Sequence, residues 1–357
     1  MDIGKEFFCG KRVLVTGHTG FKGSWLCKIL HLMGAEVIGY ALEPTHISLY
    51  ELAGLEESVH SIIGDIRDFE HLKQVFIQEN PEIVLHLAAQ PIVRESYINP
   101  RETYEINVLG TVNLLECVRQ SQSVKSVVNV TTDKVYDNKE WEWGYRENDH
   151  LDGFDPYSNS KSCSELVTHS YKRAFLDSQG IPVSAMRAGN VIGGGDFAKD
   201  RIIPDCVRAV QKQEKIIVRN PYSVRPYQHV LEPLHAYLMV AWYQALHPEY
   251  AACYNVGPEE KDCIATGELV QIFCDKWGAG ALWEAQPVDD SPHEANFLKL
   301  DCSRIKREFG WNPVWDIEKA VEKTVEWAKA YLKKESVGEC MERQLQEFWW
   351  EAFRLGI

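Results

Sequence analysis

Gly17-His-Thr-Gly-Phe-Lys-Gly23 places three glycines within seven residues, directly after the apolar run Val13-Leu-Val15 and before an amphipathic pattern over residues 24–33. A β-branched run, a glycine-rich turn and an amphipathic helix in this order are typical of the first βα unit of a nucleotide-binding sheet, where backbone N–H groups and the helix dipole attract phosphate. Glycines three apart also occur in ordinary turns, so the surrounding sequence has to support this interpretation. Gly17, Gly20, Phe21 and Gly23 are the candidate phosphate-binding residues.

The following 170 residues, roughly, repeat the alternation of strand and helix, at spacings usual for α/β units. Short apolar or β-branched runs predict further strands, and the segments between them have helical periodicity, as in Ile106 through Val118, where Asn107 and Leu114 share a face. The predicted strands are 36–40, 61–64, 83–87, 126–130 and 183–186. The pattern indicates an α/β fold with a Rossmann-type doubly wound parallel sheet, whose ligand lies at the carboxyl ends of the strands.

The residue that would hold the adenosine ribose is not evident from the sequence. In NAD-binding sheets an acidic side chain normally follows the second strand, about 20 residues after the glycines. Here this place reads Tyr40-Ala-Leu-Glu43, so Glu43 lies further along the chain than the expected acidic residue. Lys22, within the glycine turn, adds a positive charge that could tolerate a 2′-phosphate. Asp65, after the third strand, could meet the adenine or could equally cap the next helix. We predict NAD as the cofactor in preference to NADP.

Tyr157-Ser-Asn-Ser-Lys161 is a candidate catalytic pair at the start of a predicted helix that runs to Ser170. Two side chains four residues apart share a helix face, so the ammonium of Lys161 is expected to lower the pKa of the Tyr157 phenol. Such a phenol can take a proton from a sugar hydroxyl while a hydride leaves the same carbon. Elsewhere this pattern is more often a solvated helix face, but here it follows a complete Rossmann pattern.

Together these motifs resemble the extended short-chain dehydrogenase/reductases that act on nucleotide sugars. The segments that carry the resemblance, which runs from about residue 11 to 313, are Gly17 to Gly23, Asp65-Ile66, His86-Leu-Ala-Ala-Gln90, Asn107-Val-Leu-Gly-Thr111, Tyr157 with Lys161, Arg187-Ala-Gly-Asn190 and Phe309-Gly-Trp-Asn-Pro313. The resemblance implies a dinucleotide held by Gly17, Gly20, Phe21, Gly23, Asp65, Ile66, Leu87, Ala88, Ala89, Asn107, Tyr157 and Lys161.

Thr131-Thr132-Asp133-Lys134-Val135-Tyr136 indicates the type of reaction. The segment directly follows the fifth predicted strand, so we expect it at the carboxyl edge beside the nicotinamide. Sugar-nucleotide 4,6-dehydratases of the resembled family carry Thr-Asp-Glu at this place, whereas epimerases and reductases usually carry small hydroxyl residues. This chain keeps Thr132 and Asp133 but has Lys134 in place of Glu, which is similar to the CDP-glucose 4,6-dehydratases. A mere surface ion pair of Asp133 with Lys134 is the alternative, and such pairs contribute little.

The resemblance also implies a role for each of these residues. Tyr157, helped by Thr132, takes the proton of the hydroxyl on hexose carbon 4 while NAD takes the hydride. Lys134, if burial keeps it neutral, removes the proton on carbon 5, and Asp133 as the acid releases the carbon 6 hydroxyl as water. Return of the hydride to carbon 6 gives CDP-4-keto-6-deoxyglucose, so the implied enzyme is a lyase. Its implied place is the bacterial cytoplasm, in supply of 3,6-dideoxyhexoses to the lipopolysaccharide O-antigen.

Substrate recognition is assigned to the part of the chain after residue 189. Arg201, Arg219 and Arg225 are positive charges in an otherwise acidic chain, and a guanidinium suits a diphosphate. By resemblance Arg225 is the first candidate for a phosphate contact, whereas Arg201 and Arg219 could equally be solvated surface arginines. The remaining candidates for substrate contact are Arg94 near the sugar, Asn190, and Glu294 at the ribose hydroxyls.

The length of 357 residues predicts two domains. We predict a smaller, discontinuous α/β domain for the substrate, because Tyr254-Asn-Val-Gly257 has the pattern of a strand that returns to the first sheet. The predicted parts are an NAD-binding domain over 1–189 with 230–257, a nucleotide-sugar-binding domain over 190–229 with 258–340, and a C-terminal helical tail over 341–357.

Composition narrows the class of protein. The net charge of −14 argues against a nucleic-acid or membrane-surface partner, and no run of 18 apolar residues suggests a membrane span. The N-terminus has no basic stretch leading into an apolar segment, so a cytoplasmic protein is expected. We predict a CDP-hexose as the small-molecule partner, and a homodimer or a dimer of dimers as the assembly.

The cysteines and histidines predict neither disulfides nor a metal site. The ten cysteines form no Cys-x-x-Cys pair, and the twelve histidines lack ligand spacing. Cys9, Cys27, Cys117 and Cys274 lie within or beside apolar helical runs, so we predict reduced, buried thiols.

Two other classes of function stay open at this point. A nucleotide-sugar 4-epimerase or reductase would share the fold, the cofactor, Tyr157 and Lys161, but it would need no acid and base at Asp133 and Lys134. A regulatory protein that senses NAD would keep the glycine turn and lose the catalytic pair, and this chain retains that pair.

Overall fold

A parallel sheet of seven strands forms the centre of the structure, a computed structural model that describes residues 4–278, 280–286 and 297–357. The strands along the chain are β1 Arg12–Thr16, β2 Glu36–Ala41, β3 His60–Ile63, β4 Ile83–His86, β5 Ser126–Thr132, β6 Val183–Ala188, β7 Val191–Ile192, β8 Ile216–Val218, β9 Val224–Pro226, β10 Gln228–His229, β11 Cys253–Val256, β12 Cys263–Ala265 and β13 Trp283–Ala285.

Helices cover both faces of this sheet. The α-helices are α1 Lys5–Phe8, α2 Phe21–Leu32, α3 Leu49–Leu52, α4 Phe69–Glu79, α5 Val93–Ile98, α6 Pro100–Tyr104, α7 Gly110–Gln120, α8 Pro156–Tyr171, α9 Ile202–Gln211, α10 Leu231–Leu246, α11 Thr266–Trp277, α12 Ser303–Phe309, α13 Ile317–Leu332 and α14 Val337–Leu355. Two π-helical segments, Glu105–Leu109 and Lys172–Leu176, adjoin α7 and α8.

The strand order of the central sheet is β11-β6-β5-β4-β1-β2-β3, with all neighbours parallel. The order reverses between β1 and β4, and a crevice for a ligand opens at the carboxyl ends of strands at such a switch point. The five strands predicted after the glycine turn are all present, and the doubly wound parallel sheet is confirmed. Residues 254–256 of the predicted returning strand pair with the sheet, because β11 lies parallel to β6 at its edge, and residue 257 lies just beyond β11.

Successive residues of β1 point to opposite faces, which explains why a continuous apolar run forms this strand. Val13 and Val15 pack into a core with α2, α10 and α14, whereas Leu14 packs into a second core with α4 and α7. All three side chains are fully buried.

A smaller set of elements lies beyond β6. Paired strands β7 with β10, β8 with β13 and β9 with β12 surround α9, α11 and part of α13. These helices share a third core, which includes Ile203, Leu269, Phe273 and Val321. Because β11 lies between these segments in the sequence, the chain leaves the central sheet and returns to it. The boundaries of the two domains stay predictions.

The C-terminal amphipathic helix predicted from the sequence is α14, and Ser336 caps it by accepting a hydrogen bond from the Glu339 N–H at 3.3 Å. It begins before the predicted tail at residue 341. Met341, Leu345 and Phe348 are buried in the main core, because the apolar face of α14 covers α10 and α13. The segment is therefore part of the core. Within the described residues, no helix combines the length and apolarity required to span a membrane.

All ten cysteines are free thiols, as predicted. Cys27, Cys117 and Cys274 are buried, but the prediction of a buried Cys9 is wrong. Cys9 follows the last residue of the short helix α1 and lies in the turn that leads into β1, so its thiol faces solvent.

His235 on α10 makes a testable contribution to stability. It lies in apolar surroundings beside Phe348, with ring centroids 5.9 Å apart, and neither ring nitrogen has a hydrogen-bond partner among the residues described. Burial lowers its pKa from 6.5 to about 4. The unfolded chain therefore takes up a proton below pH 6.5 that the folded protein refuses until about pH 4, so stability is lost as the pH falls below 6.5.

We expect His235→Leu to raise the free energy of unfolding and to reduce its dependence on pH. Relative to wild type, the gain should grow by about 1.4 kcal/mol between pH 8 and pH 5.5, the cost of a shift of one pKa unit. Urea unfolding at both pH values measures this difference. The exposed His31 supplies the control, because His31→Leu should leave the pH dependence as it is. An unchanged pH dependence in His235→Leu would contradict the prediction.

Candidate active site

A cavity of about 1180 Å³ runs along the carboxyl ends of the strands of the central sheet. It brings together most of the residues predicted for cofactor, catalysis and substrate, although they are far apart in sequence. Those that line it are Gly17, Gly20, Phe21, Gly23, Asp65, Ile66, Leu87, Ala88, Ala89, Arg94, Thr132, Lys134, Tyr157, Lys161, Asn190, Arg201, Arg219 and Arg225.

The glycine turn forms one wall of the cavity at the N-terminus of α2. Gly17 has a φ of 76°, and a Cβ atom there would lie 2.9 Å from the Ala88 nitrogen. A Cβ atom on Gly23 would lie 2.1 Å from the Gly17 carbonyl oxygen, so a side chain at either position is excluded. Gly20 is the N-cap, and no side chain of the described residues caps this helix. The exposed N–H groups and close-packed backbone fit a dinucleotide diphosphate.

Thr16, at the end of β1, positions the next wall. Its hydroxyl accepts hydrogen bonds from the N–H groups of Leu87 and Ala88, each at 3.1 Å, and lies 2.7 Å from Nδ1 of His86. Asn107, predicted to contact the dinucleotide, is buried and absent from the cavity wall. Its amide instead holds the backbone of Gln90 through bonds of 2.9 and 3.1 Å, so Asn107 positions this wall without lining it.

The end of the cavity beside β2 and β3 contains two carboxylates. Glu43 is exposed and lines the cavity two residues after β2 ends. Asp65 forms an ion pair with Arg67 at 2.5 Å, which holds the pKa of the Asp65 carboxyl below its usual value. The alternative that Asp65 caps the next helix is wrong, because Asp68 caps α4 by accepting from the His71 N–H at 3.0 Å.

Lys22 does not serve the adenosine end, contrary to the expectation from the sequence. Its ammonium interacts electrostatically with Arg201, Lys161, Asp133 and Asp196, at the other end of the cavity. Burial is the largest cause that lowers its pKa to about 7, and the two nearby cations add to this effect. The Lys22 ammonium is therefore too far from the end of β2 to compensate the charge of a 2′-phosphate there.

Tyr157 and Lys161 lie on the first turns of α8, where the Asp155 side chain accepts from the Ser158 N–H at 2.9 Å and caps the helix. Lys161 donates to the Val130 carbonyl at 3.1 Å, and burial lowers its pKa to about 8. The expected lowering of the phenol pKa is not observed. Burial raises the pKa of Tyr157 to about 12 and outweighs the opposing hydrogen bond with Thr132.

Strand β5 runs to Thr132, so the two threonines belong to the strand and do not follow it. The Thr132 hydroxyl donates to Oδ1 of Asp133 at 2.9 Å, while Oδ2 of Asp133 has no hydrogen-bond partner among the residues described. Asp133 is only 1% exposed, and burial raises its pKa. A surface ion pair with Lys134 is therefore excluded. Lys134, the next residue in the sequence, is half-buried and lines the cavity.

A buried ion pair that the sequence did not predict supports this strand. Arg187 on β6 binds Glu165 on α8 through Nε at 2.8 and 2.9 Å, and both side chains are fully buried. Glu165 also accepts from the Thr131 hydroxyl at 2.6 Å. The sequence feature that could have indicated this ion pair is Glu165, which lies about two helical turns after Tyr157 on the same face of the helix.

Glu165 also belongs to a group of potential metal ligands. His169 and Cys253 each place one ligand atom within 4.8 Å of its carboxylate. Both oxygens of Glu165 bind the Arg187 guanidinium, and His169 Nε2 lies 2.8 Å from the Cys253 sulfur. A carboxylate already paired with a buried arginine is a poor cation ligand. We therefore interpret Glu165, His169 and Cys253 as part of an ion-pair network and not as a metal site.

The predicted arginines all line the cavity, where the side chains of Arg201 and Arg219 are 33% and 34% exposed. Arg201 pairs with Asp196 at 3.0 Å. Arg225, on β9, is 5% exposed and donates to the Val224 carbonyl at 3.0 Å. The remaining predicted contact, Glu294, lies outside the described residues.

The sheet, the glycine turn and the Tyr157–Lys161 pair together define an extended short-chain dehydrogenase/reductase fold with a dinucleotide site. The family model described as GDP-mannose 4,6 dehydratase matches residues 14–324. The chain belongs to this family, which confirms the resemblance predicted from its motifs.

CDP-glucose 4,6-dehydratase of Salmonella typhimurium is 48% identical in an alignment of 355 residues that covers 97% of this chain and 98% of that protein. A solved UDP-glucose 4-epimerase from Thermus thermophilus, in complex with NAD, is 25% identical with a TM-score of 0.79 and covers 89% of this chain and 99% of its own. The dTDP-glucose 4,6-dehydratase of Bacillus anthracis, also in complex with NAD, shares the fold at 21% identity, with a TM-score of 0.74, and covers 90% and 97%.

Proposed function

We propose that this protein is a CDP-glucose 4,6-dehydratase, which converts CDP-glucose to CDP-4-keto-6-deoxyglucose and water with NAD as a recycled cofactor. The observation that carries the proposal is the buried carboxyl of Asp133, whose Oδ2 is unpaired within the described residues, beside the cavity that holds Tyr157 and Lys161. A 4-epimerase or reductase needs no such acid. The identity of 48% to a CDP-glucose 4,6-dehydratase supports the same substrate.

The residues of the cavity fit the cofactor at both ends. The glycine turn and the uncapped N-terminus of α2 suit its diphosphate, and Lys161 with Tyr157 lies at the nicotinamide end. A bound NAD would supply the hydride acceptor for hexose carbon 4 and the hydride source for carbon 6. Every proton transfer is left to the side chains of this chain.

Tyr157 takes the proton from the hydroxyl on carbon 4. It acts in its phenolate form, and because burial raises the pKa of this phenol to about 12, the phenol has to lose its own proton before the substrate reacts. The hydrogen bond with the Thr132 hydroxyl assists this loss, since it lowers the pKa of Tyr157. The hydroxyl on carbon 4 gives its proton to the Tyr157 phenolate as the hydride leaves and carbon 4 becomes a ketone.

Asp133 and Lys134 carry out the elimination of water. The ketone acidifies the hydrogen on carbon 5, and the Lys134 amine takes that proton. Burial raises the pKa of the Asp133 carboxyl and so favours its protonated form, which delivers a proton to the departing carbon 6 hydroxyl. The proposal thus assigns the acid to Asp133 and the base, in its neutral amine form, to Lys134, although the two residues are adjacent in sequence.

The direct test is product formation from a series of substrates. CDP-, UDP-, dTDP- and GDP-hexoses are incubated with the protein and NAD, and the alkali-sensitive absorbance of a 4-keto sugar is recorded. CDP-glucose should be converted well ahead of dTDP-glucose. Equal or faster conversion of dTDP-glucose would refute the assignment of the substrate, and epimerised sugar without a keto product would support a 4-epimerase instead.

NADP is expected to replace NAD poorly. A 2′-phosphate would lie near the end of β2, where Glu43 is negative and Lys22 is directed elsewhere. The exposed Glu43 is a weak anchor for the ribose, so purified protein should be partly empty and added NAD should raise its activity. Titration of the activity with each dinucleotide measures both effects. Glu43→Ala should reduce the preference for NAD over NADP. Protein isolated fully loaded with NADP would contradict this prediction.

The proposal extends to the setting of the reaction. A lyase of this kind would act in the bacterial cytoplasm and supply 3,6-dideoxyhexoses for the lipopolysaccharide O-antigen. The assembly we propose is a homodimer or a dimer of dimers.

A further inference from the structure

One aspartate joins two arginines across the mouth of the cavity. Oδ1 of Asp200 accepts from Nη1 of Arg94 at 3.2 Å and from Nη1 of Arg219 at 3.1 Å. Arg94 is the second residue of α5, after β4 of the central sheet, whereas Arg219 follows β8 in the smaller set of elements. A single carboxylate oxygen therefore connects the two sides of the cavity, and all three residues line it.

The two ion pairs of Asp200 are weak enough for another anion to replace its carboxylate. The side chains of Arg94, Asp200 and Arg219 are 33%, 38% and 34% exposed, so water can replace either partner of each pair. Ion pairs with this exposure contribute little to stability, typically about 0.2–1 kcal/mol. A diphosphate has more charge and more acceptor oxygens than a carboxylate, and guanidinium groups bind phosphate oxygens in pairs.

From this geometry we propose that Asp200 is a built-in competitor for the diphosphate of the nucleotide sugar. It holds Arg94 and Arg219 together while the substrate is absent, and it is displaced when the diphosphate takes its place between them. Substrate affinity is thereby set lower than the two arginines alone would give. The inference rests on the proposed function, because it takes the substrate to be a nucleoside diphosphate sugar.

When Asp200 is displaced, a neighbouring carboxylate still holds Arg219. Asp200 has a φ of 62°, in the left-handed region, and it directly precedes Arg201 at the start of α9. Asp205, on the first turn of α9, lies 3.8 Å from Nη2 of Arg219 and remains a partner for that guanidinium. Arg219 is thus kept in place at the cavity when Asp200 leaves, which is what a diphosphate ligand requires.

The test is the affinity of CDP for Asp200→Asn, measured by calorimetry without sugar turnover. Removal of the competing charge should lower the Kd of CDP about two- to thirtyfold, the range that two exposed ion pairs allow. The KM for CDP-glucose should fall by a similar factor. Cytidine, which has no phosphate, should bind wild type and variant equally. Asp275→Asn, a loss of the same charge at an exposed position on α11, should leave the Kd of CDP unchanged.

A double variant identifies the arginine through which Asp200 acts. In an Arg219→Met background, Asp200→Asn should gain clearly less affinity for CDP, because one of the two guanidinium groups that the substitution frees is missing. An unchanged Kd in Asp200→Asn would overturn the proposal. Weaker binding of CDP would overturn it too, since it would make Asp200 a clamp that holds the cavity in shape.

These outcomes are distinct from failure of the proposed function. If wild type does not bind CDP and forms no keto sugar, the nucleotide assignment is wrong, and inorganic pyrophosphate becomes the probe for the competitor. Tighter pyrophosphate binding by Asp200→Asn would then still support the competitor, and an unchanged affinity would overturn it.

Discussion

Tyr157→Phe is expected to abolish oxidation at carbon 4 and, with it, every later step. The variant keeps the ring, which packs at the start of α8, but it loses the oxygen that receives the hydroxyl proton. General base catalysis contributes about 10²–10⁴ in rate, and a hydride cannot leave carbon 4 unless that proton is taken. Mixed with NAD and CDP-glucose in a stopped-flow instrument, the variant should show neither the absorbance of NADH nor a 4-keto sugar.

A second tyrosine controls for the loss of a hydroxyl in general. Tyr243 lies on α10 and packs against Phe309, with ring centroids 5.4 Å apart, and it does not line the cavity. Tyr243→Phe should form product at the rate of wild type. Formation of NADH by Tyr157→Phe at a normal rate would remove Tyr157 from the mechanism.

Asp133→Asn is expected to stop the reaction halfway. The variant retains Tyr157 and Lys161, so it should still oxidise carbon 4, but its amide cannot protonate the departing hydroxyl on carbon 6. Loss of a general acid costs about 10²–10⁴ in rate. Stopped-flow absorbance should therefore show NADH that forms and persists, whereas wild type consumes it. A variant that makes product at the normal rate would reopen the epimerase alternative.

Solvent exchange separates the acid from the base. In deuterium oxide, Asp133→Asn should still exchange the hydrogen on carbon 5, because the Lys134 amine remains, whereas Lys134→Met should not. Asp137→Asn is the matched control for Asp133, since Asp137 is a nearby carboxylate that pairs with Lys139 outside the cavity lining. It should turn over normally. Loss of exchange in Asp133→Asn would assign the carbon 5 proton to Asp133.

The motifs that form this site could be located from the sequence because each depends on local geometry. Three glycines between a strand and a helix can be read from the order of residues, and β1 with α2 are present where they were predicted. The spacing of Tyr157 and Lys161 fixes a shared helix face whatever the rest of the chain does. The same local character placed the threonines and Asp133 at the end of β5.

The electrostatic state of these residues could not be read in the same way. Spacing predicted that Lys161 would lower the pKa of Tyr157, yet burial raises it, since desolvation depends on every neighbour of the phenol. Lys22 was expected near the adenosine, but its long side chain extends to the opposite end of the cavity. Asn107 was expected against the dinucleotide, but it holds the backbone of Gln90.

The sequence by itself determined the alternation of strands and helices, the glycine turn and the order of the catalytic motifs, because these features follow from the periodicity and backbone freedom of a few adjacent residues. The tertiary structure alone decided that Asp133 is buried, that Arg187 pairs with Glu165, and that Asp200 joins Arg94 to Arg219. The first of these depends on desolvation, which sums over all packed neighbours. The others join residues that are 19 to 106 positions apart in the sequence, through folding of separate elements. Contacts of this kind exist only once the sheet has brought its strand ends together.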